Sequence, residues 1–241
     1  PGAWPFCFPV CARLSYRNDF GAYKIDNKSY KMPIHGLGWW NAWSVKDAGE
    51  NWIELEFVDN EQTRAMYPFQ FCVILRYEIF DDQLLCQQTY FNKSASPMPY
   101  YAGFHPYFLM PDNKADVTLN YKPEKRFVYN SDYTEIIGEQ DLFCLPSSVC
   151  NHDLNEQLTK LGSDKTAYLN FPDGLQLSIN VAGDQDPDMF SFMQLYTQAD
   201  KNFFCLEPWM AAPNSLNTGD ARLIQAGAHD SALLTLAWSG L

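Results

Sequence analysis

Glu207 and His105 are the residues of this chain best suited to moving protons. Glu207 lies in Phe204-Cys205-Leu206-Glu207-Pro208-Trp209, and His105 in Gly103-Phe104-His105-Pro106-Tyr107-Phe108. Each sits among bulky apolar residues, directly before a proline. Proline fixes its own φ and biases the preceding residue toward extended backbone. Both side chains are therefore expected at strand ends, aimed by a stiff main chain. A carboxylate and an imidazole held in that way are the equipment of general acid–base chemistry near neutral pH. On the residues alone, catalysis and an ordinary strand-end role both stay open.

The other candidates are fewer. His35 sits in Pro33-Ile34-His35-Gly36, whereas His152 and His229 lie among Asn, Asp, Ala and Gly and read as surface turns. Arg13, in Cys11-Ala12-Arg13-Leu14, could offer a fork of donors to hydroxyl groups or pair with a surface carboxylate. Asp153 precedes a short apolar-periodic stretch and reads as its N-cap. No HxH or HExxH spacing occurs, so no metal centre is expected. There is no GxSxG elbow and no Gly-rich phosphate loop, and none of the cysteines has an electropositive setting.

Composition narrows the partners. The net charge is −12 and only 17 basic residues are scattered over 241, which disfavours nucleic acid. Seven cysteines without a CxxC read as free thiols in a reducing compartment, and a cytoplasmic location is expected. No apolar run approaches membrane-spanning length and no signal peptide opens the chain, so no membrane association is expected. With 46% apolar and 16% aromatic residues there is ample material for a core.

The elements that must position these side chains read as strands. Residues 51–58 and 71–79 alternate apolar and polar, and Asp81-Asp82-Gln83 turns the second run into 84–91 as a hairpin. Similar runs occur at 115–120, 167–171, 175–181, 191–197 and 232–238, separated by Pro, Gly, Asn and Asp clusters. Residues 154–161 are the one helical candidate. Many strands with scarcely any helix argue for one all-β domain, a large antiparallel sandwich over 1–241. Trp4, Trp39, Trp40, Trp43, Tyr67, Tyr101, Tyr107, Tyr196 and Trp209 could stack on sugar rings or simply fill the core, and two or three are expected to reach a ligand.

Taken in order, these segments resemble the aldose 1-epimerase (galactose mutarotase) family. The matches are Phe6-Cys7-Phe8-Pro9-Val10-Cys11-Ala12-Arg13-Leu14, Met32-Pro33-Ile34-His35-Gly36, Tyr67-Pro68-Phe69 and Gly103 to Phe108. They continue with Gln194-Leu195-Tyr196-Thr197, Glu207-Pro208-Trp209 and Pro213-Asn214-Ser215-Leu216-Asn217-Thr218-Gly219. The resemblance implies a galactose mutarotase-type β-sandwich that interconverts the α and β anomers of a free monosaccharide. It implies Glu207 as general base, His105 as general acid, and Arg13, His35 and Asp153 as substrate-binding residues, with no metal or organic cofactor. It also implies strands before the segment matching Phe6 to Leu14, and these first strands are expected to be missing from residues 1–241.

The His-Gly segment continues Leu37-Gly38-Trp39 where relatives favouring hexose 6-phosphates often carry an Arg. Neutral aldoses are therefore the expected substrates. A second class of function stays open beside the enzyme: a non-catalytic carbohydrate-binding or sugar-sensing protein, which would need the aromatic platform but not the acid–base pair.

Overall fold

The computed structural model describes residues 6–198 and 200–240. Among these residues two large antiparallel sheets pack face to face. The nine-stranded sheet runs, in spatial order, Ser147–Ser148, Thr118–Asn120, Ala167–Asn170, Gln176–Gly183, His229–Ser239, Gln83–Asn92, Phe71–Phe80, Trp52–Val58 and Ser44–Ala48. Its centre is the hairpin expected from the sequence, with Phe80 opposite Gln83 and Asp81 taking the left-handed φ of 50° that so short a turn requires. The eight-stranded sheet runs Phe6–Cys7, Gly103–Phe104, Phe203–Trp209, Phe192–Thr197, Gln157–Leu161, Pro123–Tyr129 and Ile136–Gln140, with Tyr107–Leu109 also pairing Phe203–Trp209.

Between the sheets lies one buried apolar cluster. Leu195, Phe204 and Leu206 enter it from one side, and Val73, Leu75, Tyr90, Val181 and Leu234 from the other. Phe6 and Phe8 bridge the two, their rings 6.1 and 6.0 Å from that of Tyr90. Apolar contact of this kind across a sandwich interior is the main favourable contribution to its stability.

Two expectations need correction. Residues 154–161 are not a helix: a 3-10 turn, His152–Leu154, leads into the strand Gln157–Leu161. The four- and three-residue spacing of Leu154, Leu158 and Leu161 imitates a helical stripe. Sheet pairing on both sides of Gln157–Leu161, together with a left-handed Glu156 (φ 52°), overrides it. The first half of 115–120 is likewise a 3-10 turn, Lys114–Asp116, and only Thr118–Asn120 is strand. A helix that apolar periodicity did not mark is Glu61–Met66. Its start is fixed by a capping box in which Asn60 and Thr63 each bond the other's backbone N–H, at 2.9 and 2.8 Å.

Candidate active site

The strand Phe203–Trp209 carries the chemistry on one face. Successive side chains of a strand point to opposite sides. Phe204 and Leu206 enter the core, while Glu207 and Trp209 line a cavity of about 290 Å³ on the outer face of the sheet. Across from this strand the chain runs Gly103–Phe104, then His105 and Pro106, then Tyr107–Leu109. Gly103 lies opposite Trp209, and Tyr107 opposite Cys205. That register, unbroken on either side, sets His105 directly across from Glu207. The ladder lapses between the two pairings, where Pro106 and Pro208 bring no N–H. On the other side Gln194 pairs with Glu207. The acid–base candidates are thus cross-strand neighbours, with His105 Nε2 3.4 Å from Glu207 Oε1. His105 does follow the end of a strand as expected; Glu207 lies inside one.

Both groups are almost sealed from solvent, 6% and 1% exposed. Burial, and secondarily the neighbouring His35, pulls the His105 pKa down from 6.5 to about 3. Burial, reinforced by Cys7 and Glu156, pushes Glu207 well above the ordinary carboxylate value of 4.5. The Trp209 indole opposes that rise, although its N–H stops short of a formed hydrogen bond. Burial favours the uncharged form of each group, a carboxylic acid beside a neutral imidazole, because low dielectric penalises both charges. Glu207 Oε2 and His105 Nδ1 are buried without a hydrogen-bond partner. Buried polar atoms are ordinarily satisfied, so these two are available to an incoming group.

His35 reaches the cavity from a strained turn. It adopts φ 61° and is followed by Gly36 at φ 77°, where a Cβ would stand 2.3 Å from the Phe8 carbonyl oxygen. Only glycine fits there. The Ala12 N–H donates to His35 Nδ1 at 3.0 Å, and the His35 N–H donates to the Ala12 carbonyl at 2.9 Å. With Nδ1 accepting, neutral His35 carries its proton on Nε2 and is a donor from that atom. Its ring meets those of His105 and Trp39 at 5.2 and 5.3 Å. Tyr107 stacks on His105 at 4.8 Å and nearly parallel, which restrains the imidazole.

The sequence of the chain matches the family model of aldose 1-epimerase over residues 2–135. The chain belongs to the aldose 1-epimerase family. Among solved structures, the Slr1438 protein of Synechocystis sp. PCC 6803 is similar at TM-score 0.82 and 23% identity, covering 99% of this chain and 78% of that one. A galactose mutarotase related enzyme from Lactobacillus acidophilus is similar at TM-score 0.80 and 20% identity, over 98% and 82% of the two chains. A galactose mutarotase-like protein from Clostridium acetobutylicum gives TM-score 0.83 at 18% identity, over 99% and 79%. These likenesses establish the fold as galactose mutarotase-like. A comparison with curated proteins finds no match. No helix among the described residues is long and apolar enough to cross a membrane.

Within this family fold, Arg13, His35, His105 and Glu207 all line the one cavity. Asp153 does not. The Asn151 side chain accepts from the Asp153 N–H, and the Asp153 carboxylate turns outward to His152 Nδ1 at 2.9 Å. The carboxylate that faces the cavity is Glu156, three residues on. Burial raises its pKa, against the opposing charge of Arg13. Gln194 Nε2 donates to Glu156 Oε2 at 3.3 Å, while the Tyr129 hydroxyl donates to Gln194 Oε1 at 2.9 Å. Sequence reasoning missed Glu156, Gln194, Tyr129 and Tyr133. A Gln in the Gln-Leu-Tyr-Thr segment was the one available signal. Of the aromatic candidates, Trp39, Trp40, Tyr107, Tyr196 and Trp209 line the cavity. Tyr67 and Tyr101 are buried in the core, Trp43 packs against it, and Trp4 lies outside the described residues.

Proposed function

We propose that the protein is an aldose 1-epimerase that opens and recloses the ring of a neutral free aldose. The observation that carries this reading is the His105–Glu207 pair, 3.4 Å apart and facing an aromatic-lined cavity. Glu207 is the general base and accepts the proton of the C1 hydroxyl. His105 is the general acid and protonates the ring oxygen as the C1–O5 bond breaks. Rotation about C1–C2 and reclosure with the roles exchanged yield the other anomer. The pair holds one proton in total, and the sugar's hydroxyls, by donating to the carboxylate, draw that proton to His105. Ring opening then carries the pair from its ion-pair form back to the neutral form that burial favours. Arg13, His35 and Glu156 supply hydrogen bonds to the remaining hydroxyls, and the tryptophans and tyrosines supply apolar ring faces.

The chemistry asks little of the protein, since a hemiacetal opens unaided in water. Each positioned acid or base is worth on the order of 10²–10⁴-fold. No step requires a metal ion, so prolonged EDTA treatment is expected to leave the rate unchanged; a large loss restored by a divalent ion would contradict the mechanism.

Arg13 is the one Lys or Arg among the described residues lining the cavity, and it shares that wall with Glu156. A phosphate dianion needs a stronger concentration of donors. Polarimetry of freshly dissolved α-glucose and α-galactose tests the reading directly. Addition of the protein is expected to speed their approach to equilibrium, and kcat/KM for glucose is expected to exceed that for glucose 6-phosphate by roughly tenfold or more. Sugar binding without any acceleration would transfer the protein to the carbohydrate-sensing class.

A further inference from the structure

We propose that His105, Cys205 and Glu207 form a latent site for a thiophilic divalent cation of the zinc type, and that such a cation competes with the sugar for the cavity. Candidate ligand atoms of the three residues all lie within 4.8 Å of one another. The separation of His105 Nε2 and Glu207 Oε1 is 3.4 Å. Two N or O ligands bonded at about 2.0–2.1 Å to a tetrahedral zinc ion lie about 3.3–3.4 Å apart. The acid–base pair already has the spacing of two zinc ligands.

Sheet geometry supplies the third. Cys205 precedes Glu207 by two residues on one strand, so both side chains share a face. Cys205 also pairs with Tyr107 on one side and Tyr196 on the other, one step along from the His105–Glu207–Gln194 row. All three residues are buried, and their spacing along the chain resembles no metal motif. Imidazole, thiolate and carboxylate together suit zinc and its neighbours rather than magnesium or calcium. The cavity side leaves a fourth position for water.

The site is latent rather than a resident cofactor site. A zinc-bound histidine normally donates its other ring nitrogen to a supporting group, and His105 Nδ1 has no such partner. On coordination the Cys205 S–H bond breaks, the sulfur–metal bond forms, and the proton passes to solvent with the proton of the acid–base pair. The site rests on the three ligand atoms alone; only the competition with sugar rests on the function proposed above.

Cobalt(II) titration of the full chain tests it. The exposed thiols Cys144 and Cys150 are first replaced by serine, so that they contribute no signal. The expected result is a thiolate-to-cobalt charge-transfer band that saturates at one equivalent and is bleached by added zinc. Cys205→Ser and Cys205→Ala are each expected to lose the band while remaining folded and catalytically near wild type. In steady-state assays zinc is expected to raise the apparent KM without changing kcat, and either Cys205 variant to weaken that inhibition by about tenfold or more. No band in the parent protein, a band unchanged in both variants, or equal zinc inhibition in parent and variants would each overturn the proposal. The band needs no turnover, whereas the metal-free rate tests the sugar chemistry, so the two readings fail separately.

Discussion

Glu207→Gln is expected to lower kcat by on the order of 10³-fold and, at the same time, to make the protein more stable at neutral pH. The loss follows from removal of the base, within the range for a single positioned proton-transfer group. The gain follows from linkage. The Glu207 pKa is raised in the folded chain above its ordinary 4.5. From that value upward the unfolded carboxyl ionises freely while the folded one must hold its proton or bear a buried charge. Stability contributed by this group is therefore present below pH 4.5 and is lost as pH rises through the folded pKa. A neutral amide removes the loss. We expect a stabilisation of about 1–3 kcal/mol at pH 8, read as an increase in Tm of several degrees for a chain of this size. The increase should shrink toward pH 5. Thermal unfolding at both values, beside polarimetry on the same samples, checks both arms. A folded variant with near-wild-type turnover would sink the catalytic assignment.

Replacement of His105 by Gln or Asn is expected to cost a comparable factor in kcat, with the opposite signature in stability. Its pKa falls from 6.5 to about 3 on folding. The unfolded imidazole takes a proton below 6.5 that the folded one refuses until about pH 3, so stability is lost as pH falls across that window. His105→Gln should therefore leave Tm nearly unchanged at pH 8 and raise it relative to wild type near pH 4. The kcat/KM profile should show a broad plateau while the pair keeps its one proton, with its acid limb toward pH 3 and no break at the ordinary histidine value. The double variant should be little worse than either single one, since the two residues act as a unit. An acid limb centred near 6.5 would mean that His105 titrates as a solvated imidazole and would refute the buried-pair account.

What could be read from the sequence depended on whether the determinant was local. The two prolines that announce His105 and Glu207 act on adjacent backbone, and both residues were legible from them. The hairpin of Phe71–Phe80 and Gln83–Asn92 was legible from alternation and a short acidic turn. Glu156 was not, because its position depends on a left-handed residue entering a strand whose leucines imitate a helix. The family resemblance points to Asp153, yet its carboxylate turns outward to His152, while that of Glu156, three residues on, faces the cavity. The Tyr129–Gln194–Glu156 chain of hydrogen bonds joins three segments far apart in sequence, and only the sheet order brings them together. Nothing local in sequence marks Cys205, because only the strand pairing sets it beside both Glu207 and His105.

The two prolines interrupt the ladder only beside the acid–base pair, within a floor that is otherwise paired strand. The groups above that floor are attached differently. Trp40 is 61% exposed and Tyr133 40% exposed, and each belongs to a loop rather than to the sheet. On the function proposed above, the proton-transfer pair thus rests on the sheet, while part of the cavity wall belongs to loops. On that function, substitutions at Trp40 and Tyr133 are expected to alter sugar preference while leaving the His105–Glu207 geometry in place.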